Sequence, residues 1–267
     1  PWVDWGTFPH DEAKKGDPIV AKWAVSELES MPTDQPFFMA VGFFLPHVPC
    51  YVTREWWDMY PDETLIMPPR VADDRADCSP FSWYLHWRLP EPRLSWLEHY
   101  KQHRSLVRSY LASISFVDHQ VGRVLDALES SPHADNTIIV LWTDHGFHIG
   151  EKDNWEKFAL WDQTTRVPCF IHAPGVSRDG EKTRTPVSLV DLYPTLCQLA
   201  GLPIPEQCDG SSLVPILKGP DSEHTRYAIA AYQFKGEDTP SHAVVDERYR
   251  FIRNGDGFEE LYDLKKD

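Results

Sequence analysis

The chain has 267 residues with 26 basic and 41 acidic side chains, which give a formal net charge of −15. This charge argues against a protein that binds nucleic acid or a membrane surface through bulk electrostatic attraction. It does not exclude an anionic substrate, because a local cluster of cations outweighs the global field at short range. With 42% hydrophobic and 13% aromatic residues, the chain can bury the core of one large α/β domain, alone or with a small appendage.

Signals for targeting and crosslinking are few. The five cysteines are scattered without the spacing of a metal site or a disulfide framework. No apolar run approaches the length of a membrane span. Pro1 neither opens a signal peptide nor is an initiator methionine, so we expect residues to precede it in the natural protein.

Residues 1–16 have the composition of a loop, and the segment after them has a helix start signal. Asp17 followed by proline predicts a helix that runs to about Ser30, with Asp17 as its N-cap. The apolar residues Ile19, Trp23 and Leu28 are expected on its inward face.

The apolar run 36–42 lies between helix breakers and predicts a buried strand. Two prolines directly after it hold His47 in an extended loop just past the end of that strand. Residues 50–100 are irregular, as in long loops that shape binding sites. Three tryptophans of this region are candidates for stacking on sugar rings, with packing inside the loop as the alternative: Trp83, Trp87 and Trp96.

The strongest helix signal covers Arg104 to Ser130, where apolar residues from Leu106 to Leu128 recur at steps of three and four. Further along, 166–175 reads as a strand and 188–200 as a helix. Two C-terminal segments predict strands of a smaller antiparallel sheet, 227–232 and 242–253.

The apolar, β-branched run 137–142 predicts a buried strand that ends in chemistry-bearing residues. Asp144 and His145 follow it, and Gly146 lets the chain leave the strand without a Cβ in the way. An acid and an imidazole there can face one divalent cation, and Lys157 can place its ammonium against an anionic ester oxygen. The plain alternative is a turn-capping Asp, a surface His and a solvated Lys.

These residues carry a resemblance to a known family. Asp-His-Gly at 144–146, Gly-Glu at 150–151 and Lys157 are similar to the C-terminal half of a sulfatase active site. Pro-His-x-Pro at 46–49 and Glu-Leu-Tyr-Asp-Leu at 260–264 resemble further family segments. The chain is therefore identified as similar to the iduronate-2-sulfatase-like sulfatases of the alkaline-phosphatase superfamily. Where that group commonly has lysine, this chain has Leu45, a departure that bears on the substrate.

The resemblance implies an α/β fold, with an alkaline-phosphatase-like, mainly parallel sheet flanked by helices and a smaller C-terminal antiparallel-sheet subdomain. Alternating strands and helices point to the same layered sheet independently. On this basis residues 1–208 belong to the catalytic domain and residues 209–267 begin the subdomain. Ligands of such sheets bind beyond the carboxyl ends of the strands, which is where Asp144, His145 and His47 are expected.

The resemblance also implies roles for four residues. Asp144 and His145 would be metal ligands, with Lys157 and His47 as catalytic residues that contact the sulfate. The implied metal is one Ca²⁺, although imidazole alone favours Zn²⁺. His148 completes a His-x-x-His spacing, which is weak evidence for zinc.

The nucleophile implied by the resemblance is a formylglycine made from Cys in a Cys-x-Pro-Ser/Ala-Arg motif. Cys50 has an arginine four residues later but lacks the proline, and Cys78 has the proline but lacks the arginine. Both also lie too late in the fold order, so we reject them and expect the nucleophile upstream, together with the paired aspartates of the metal site. This chain alone is then expected to be inactive.

The function expected from these inferences is hydrolysis of a sulfuric ester on a sulfated sugar or glycan. A phosphodiesterase or phosphonate hydrolase of the same superfamily is one alternative, and a non-catalytic binding or structural chain is another. Sulfated carbohydrate is the expected partner, with no nucleic acid and no membrane. Family resemblance implies a periplasmic, lysosomal or secreted location; oligomeric state and sugar are not specified.

Overall fold

A computed structural model describes residues 3–82, 92–219, 226–233 and 238–266. The chain divides into two compact units. The first comprises Pro1–Val71, Pro90–Asn136 and Ile149–Trp155, and the second comprises Ala72–Leu89, Thr137–His148 and Glu156–Asp267. None of the helices in the described ranges is long and apolar enough to cross a membrane.

The secondary structure is listed here in chain order. The strands are β1 Trp5–Thr7, β2 Cys50–Val52, β3 Ile139–Trp142, β4 His148–Ile149, β5 Trp155–Glu156, β6 Cys169–His172, β7 Ala228–Tyr232, β8 Ser241–Val245, β9 Tyr249–Arg253 and β10 Glu259–Asp263. The helices are α1 Gly16–Ser30, α2 Arg54–Asp58, α3 Leu94–His99, α4 His103–Glu129, α5 Asp162–Thr165, α6 Leu192–Leu199 and α7 Val214–Lys218. Short 3-10 turns lie at Glu12–Lys14, Ala134–Asn136, Glu151–Asp153 and Leu189–Asp191.

Helix α4 is the long element of the first unit and confirms the predicted helix at 104–130. Its buried face differs from the predicted apolar stripe, because Ser109 and Ser113 are fully buried whereas Ile114 is 40% exposed. The Ser113 hydroxyl donates to the Ser109 carbonyl at 2.8 Å, and the Ser109 hydroxyl donates to the carbonyl of Cys50. Small, internally satisfied side chains therefore let β2 lie close against the helix.

Helix α1 confirms the predicted helix, and Leu28 is buried as predicted, but the other two residues predicted on its inward face are not. Ile19 and Trp23 are 59% and 48% exposed, whereas Ala21 and Ala24 are fully buried. Alanines allow α1 and α4 to approach closely, and the bulkier side chains then lie outside the contact.

The prediction of a strand at 36–42 is wrong, because these residues do not form one. The side chains still alternate between half-buried and exposed, and Phe38 is 85% exposed. The run thus has the polarity of a strand, but in the part of the chain that the structure describes no neighbour pairs with it. Residues 1–16, predicted as loop, instead contribute β1, which pairs in parallel with β2.

The second unit contains the strand that precedes the Asp-His-Gly motif. Strand β3 pairs antiparallel with β6, from Ile139 opposite His172 to Trp142 opposite Cys169. Both strands were predicted, but β3 is less buried than expected, because Trp142 is 51% exposed. The β3–β6 pairing is thus antiparallel, whereas the β1–β2 pairing of the first unit is parallel.

A four-stranded antiparallel sheet in the order β10-β9-β8-β7 confirms the predicted C-terminal sheet. Its inner face packs on one core cluster of buried residues: Cys78, Ala159, Leu160, Trp161, Ala243 and Ile252. The predicted helix at 188–200 begins with a 3-10 turn and is followed by Gly201 at φ +69°, as expected for a helix end. The domain boundary proposed at 208/209 stays a prediction.

Candidate metal centre and catalytic residues

The Asp-His-Gly turn directly follows β3 and holds its two polar side chains side by side. The backbone N–H of His145 donates to Asp144 Oδ1 at 3.0 Å, and His145 Nε2 lies 3.5 Å from Asp144 Oδ2. His145 Nδ1 lies 2.9 Å from the carbonyl oxygen of Gly146. A carbonyl only accepts, so Nδ1 is the donor in this contact and Nε2 is the ring nitrogen that lies beside the carboxylate.

This arrangement suits two neighbouring ligands of one cation. The side chain of Asp144 is 74% exposed and that of His145 is 32% exposed, so both can be reached from solvent. The hydrogen bond from Nδ1 to a backbone carbonyl is the outer contact that typically fixes a ligating histidine. Among the described residues, however, no group of three or more His, Cys, Asp or Glu side chains forms a metal site. The two residues fit a part of a ligand set.

Gly146 is fixed against the backbone of α5. Its N–H donates to the carbonyl of Thr164 at 2.7 Å, and a Cβ built on it would lie 2.0 Å from the carbonyl oxygen of Gln163. No side chain can occupy that space without moving backbone. The glycine of the motif is therefore required for close packing of the turn, in addition to the freedom in leaving the strand that the sequence suggested.

The segment before α5 supports the same turn from a second position. His148 is fully buried, and its ring lies edge-on to Trp161 with 5.7 Å between centroids. The Trp161 indole N–H donates to the buried carboxylate of Glu260 at 2.9 Å. His148 is thus a buried residue packed against Trp161, and its weak zinc signal stays untested.

Lys157 lies in the irregular segment between β5 and α5, and it is half-buried. Its carbonyl accepts a hydrogen bond from the N–H of Ala159 at 2.9 Å, which forms a tight turn at this position. Lys157 belongs to the second unit together with Asp144 and His145. Its contact with sulfate stays a prediction.

His47 belongs to the first unit, on an ordered loop. Its ring Nδ1 donates to the carbonyl of Val48 at 2.7 Å, and its N–H donates to the carbonyl of Phe44 at 3.0 Å. The carboxylate of Asp17 accepts the N–H groups of Phe44 at 2.8 Å and Leu45 at 3.2 Å. Its role at the sulfate also stays a prediction.

Asp17 was therefore misassigned as a helix N-cap. It lies inside the first turn of α1, is 5% exposed and anchors the loop that carries His47. An aspartate before proline has the signature of a cap, and only the fold shows that its acceptors serve another segment. Nothing local in the sequence marks this long-range role.

The Gly-Glu of the motif has a structural role in the first unit. Gly150 has φ +144° and a Cβ there would lie 3.1 Å from the ring of His103. The ring Nε2 of His103 lies 2.7 Å from the carbonyl of Ile149, and the carboxylate of Glu151 accepts the N–H of Ile149 at 2.9 Å. The segment between the Asp-His-Gly turn and Lys157 is therefore held by contacts of the His103 and Glu151 side chains with the backbone of Ile149.

Neither rejected cysteine has the environment of a modified nucleophile. Cys50 and Cys78 are 0% and 7% exposed, and burial raises the pKa of the Cys50 thiol to about 12. We expect Cys50 in the folded protein to resist iodoacetamide, because a buried, protonated thiol does not attack. Mass spectrometry of tryptic peptides after native labelling would measure this, with the half-buried Cys208 as the internal reference. Labelling of Cys50 at the rate of Cys208 would contradict the burial.

The candidate sugar-stacking tryptophans are only partly covered. Trp83 and Trp87 lie outside the described residues. Trp96 is 45% exposed and packs beside Tyr100, with 4.8 Å between ring centroids. An exposed aromatic pair is compatible with either stacking on a sugar or loop packing.

The fold itself defines the broad class of the protein. The chain superimposes on a phosphonate monoester hydrolase from Agrobacterium radiobacter with a TM-score of 0.82, covering 100% of this chain and 58% of that one at 22% identity. The chain therefore shares the fold of that protein, in agreement with the predicted alkaline-phosphatase-like α/β fold.

The chain belongs to the sulfatase family. The family model described as Sulfatase matches residues 10–202, and the model described as N-sulphoglucosamine sulphohydrolase, C-terminal, matches residues 150–267. The chain is 40% identical over 265 residues to a sulfatase from Formosa agariphila, covering 99% of this chain and 51% of that protein. It is 36% identical over 239 residues to iduronate 2-sulfatase from Mus musculus, covering 77% and 42%. The chain thus spans about half the length of these relatives.

Proposed function

We propose that the complete protein containing this chain hydrolyses sulfuric esters on a sulfated sugar or glycan. The observation that carries the proposal is the exposed Asp144 and His145 pair, set on a turn that only glycine can form, in a chain of the sulfatase family. Similarity to a model named for N-sulphoglucosamine sulphohydrolase and to iduronate 2-sulfatase supports a sulfated sugar as the substrate class.

Asp144 and His145 would hold one divalent cation, proposed to be Ca²⁺, which when bound withdraws charge from a sulfate oxygen. Lys157 would place its ammonium against the sulfate and stabilise the charge that builds up in the transition state. His47, whose Nδ1 is occupied by the Val48 carbonyl, would use Nε2 to hold or donate a proton on the leaving-group side. The formylglycine nucleophile is proposed to lie outside these 267 residues, in a protein exported to the periplasm, a lysosome or the medium.

The proposal is tested with the complete, matured protein and 4-nitrocatechol sulfate. We expect turnover that a chelator abolishes and added Ca²⁺ restores. The variant Lys157→Ala should lower kcat by about 100-fold, because one charge-stabilising group is lost. Lys182→Ala, which removes an exposed lysine of the same unit, serves as the matched control.

Two results would redirect the assignment. Turnover of bis(4-nitrophenyl) phosphate in preference to the sulfate ester would favour the phosphodiesterase alternative. No turnover of either compound by correctly matured, metal-loaded protein would favour a non-catalytic chain.

A further inference from the structure

Arg250 is a buried cation in the second unit that the proposed chemistry does not use. It lies on the inner face of β9, and its side chain is 4% exposed. Its guanidinium donates to the carbonyl of Leu160 at 2.7 Å, to the hydroxyl of Thr165 at 2.5 Å and to the carboxylate of Asp162 at 2.8 Å. One side chain of the C-terminal sheet therefore binds Leu160, two positions before α5, and both ends of α5.

The other hydrogen bonds within α5 and its caps are local, and three of them run to the carbonyl of Trp161. The helix is one turn of four residues without a side-chain N-cap, and a helix this short is not stable by itself. Asp162 is also 3.6 Å from Arg166, but the side chain of Arg166 is 81% exposed, so that pair is screened by solvent. The buried guanidinium is the stronger constraint on this turn.

The same short helix is the surface on which the Asp-His-Gly turn packs. Gly146 donates to the carbonyl of Thr164 and touches the carbonyl of Gln163, and these two residues lie between Asp162 and Thr165, which Arg250 binds. A shift of α5 by a fraction of an ångström would therefore move Gly146 and its two neighbours. A continuous series of contacts therefore connects β9 with the Asp-His-Gly turn.

Burying the charged guanidinium of Arg250 costs free energy. Burial lowers the pKa of its guanidinium, and the neighbouring carboxylate of Asp162 opposes that shift. A buried ion pair seldom adds stability over an apolar pair of the same size. Its directional, multi-point hydrogen bonds are better suited to fixing a backbone position.

We infer that Arg250 is a positioning residue for the metal centre, acting through α5 to hold Gly146, and with it Asp144 and His145, in ligand geometry. The inference rests on the proposed function for the role of those two ligands. It also gives the C-terminal sheet a part in metal binding, although none of its own side chains is a ligand in this proposal.

The first test measures the position of the turn without any metal. Hydrogen exchange of the complete protein is compared for Arg250→Met, which keeps an unbranched apolar stem but removes the guanidinium, and for Arg253→Met, which changes an exposed arginine on the opposite face of β9. We expect exchange in peptides covering residues 142–148 to become about tenfold faster in Arg250→Met only. Equal exchange in both variants would overturn the inference, and so would faster exchange spread evenly to α6.

The second test measures binding of Ca²⁺ by titration calorimetry. Arg250→Met is expected to weaken binding by about 10- to 100-fold, as for other residues that orient ligands, and Arg250→Lys is expected to recover part of it. Asp162→Asn should weaken binding too, and its effect should not add to that of Arg250→Met, because both break one contact. Full additivity would overturn the pathway through α5. Absence of Ca²⁺ binding by the unsubstituted protein would remove the proposed function, whereas the exchange comparison decides the role of Arg250 by itself.

Discussion

Replacing Gly146 with alanine will destabilise the second unit by about 3–5 kcal/mol, an effect of the size produced by severe overpacking. The added Cβ would lie 2.0 Å from the carbonyl oxygen of Gln163 and 3.0 Å from its carbonyl carbon. Both atoms are backbone, so no side chain can rotate away. Either α5 shifts or the turn loses its hydrogen bond to Thr164. Loss of that bond would leave a buried carbonyl unpaired.

Urea denaturation monitored by tryptophan fluorescence would measure this loss of free energy. Gly219→Ala is the matched control, because a Cβ at Gly219 would meet no atom of the described residues within 4 Å and its backbone is extended. That variant should stay within about 0.5 kcal/mol of the unsubstituted protein. Similar midpoints for the two variants would show that the turn does not pack against α5 as described.

The elements that could be predicted from sequence are those whose signal is local. The periodic apolar residues of α4 and the β-branched run of β3 were found at nearly their observed bounds. The order Asp-His-Gly also indicates its chemistry, because an acid and an imidazole on adjacent residues after a strand lie close together. Their contact of 3.5 Å agrees with that expectation.

The features that escaped prediction all depend on distant partners. Asp17 has the sequence of a helix cap but binds the loop of His47, 27 and 28 residues away from the two N–H groups it accepts. The run 36–42 has the polarity of a strand, yet a strand also needs a neighbour to pair with, and composition does not supply one. Hydrophobicity likewise favoured Ile19 over Ala21 for the inner face of α1, although close helix packing selects the smaller residue.

The contacts that hold the Asp-His-Gly turn could not be predicted from the sequence for the same reason. Gln163 and Thr164 contribute only backbone carbonyls to Gly146, so their side-chain identities carry no signal. Arg250 is 104 positions beyond Gly146 and looks like any polar residue on a strand of alternating pattern. Sequence reasoning therefore finds candidate ligands more readily than it finds the residues that contact their backbone from a distance.

Asp144→Asn is expected to remove most of the sulfate-ester hydrolysis while leaving the fold intact. The substitution keeps the shape of the side chain but removes the negative charge that a hard cation such as Ca²⁺ requires. Loss of one anionic ligand from a shared site should weaken Ca²⁺ binding by at least about 100-fold and lower kcat/KM by about 1,000-fold, or roughly 4 kcal/mol of transition-state stabilisation. Because the carboxylate is 74% exposed, the free energy of unfolding without metal should change by less than about 1 kcal/mol.

The chain offers a closely matched control for this variant. Asp179 lies 3.4 Å from the ring of His172, so it forms a second exposed acid–imidazole pair in the same unit. Asp179→Asn removes the same charge from the same kind of contact, away from the Asp-His-Gly turn. Calorimetric titration with Ca²⁺ and the sulfate-ester assay on the complete protein should then separate the two variants by the full factor expected for Asp144→Asn. If both variants bind Ca²⁺ and turn over substrate equally well, then Asp144 is not a ligand, and the metal centre lies elsewhere in the protein.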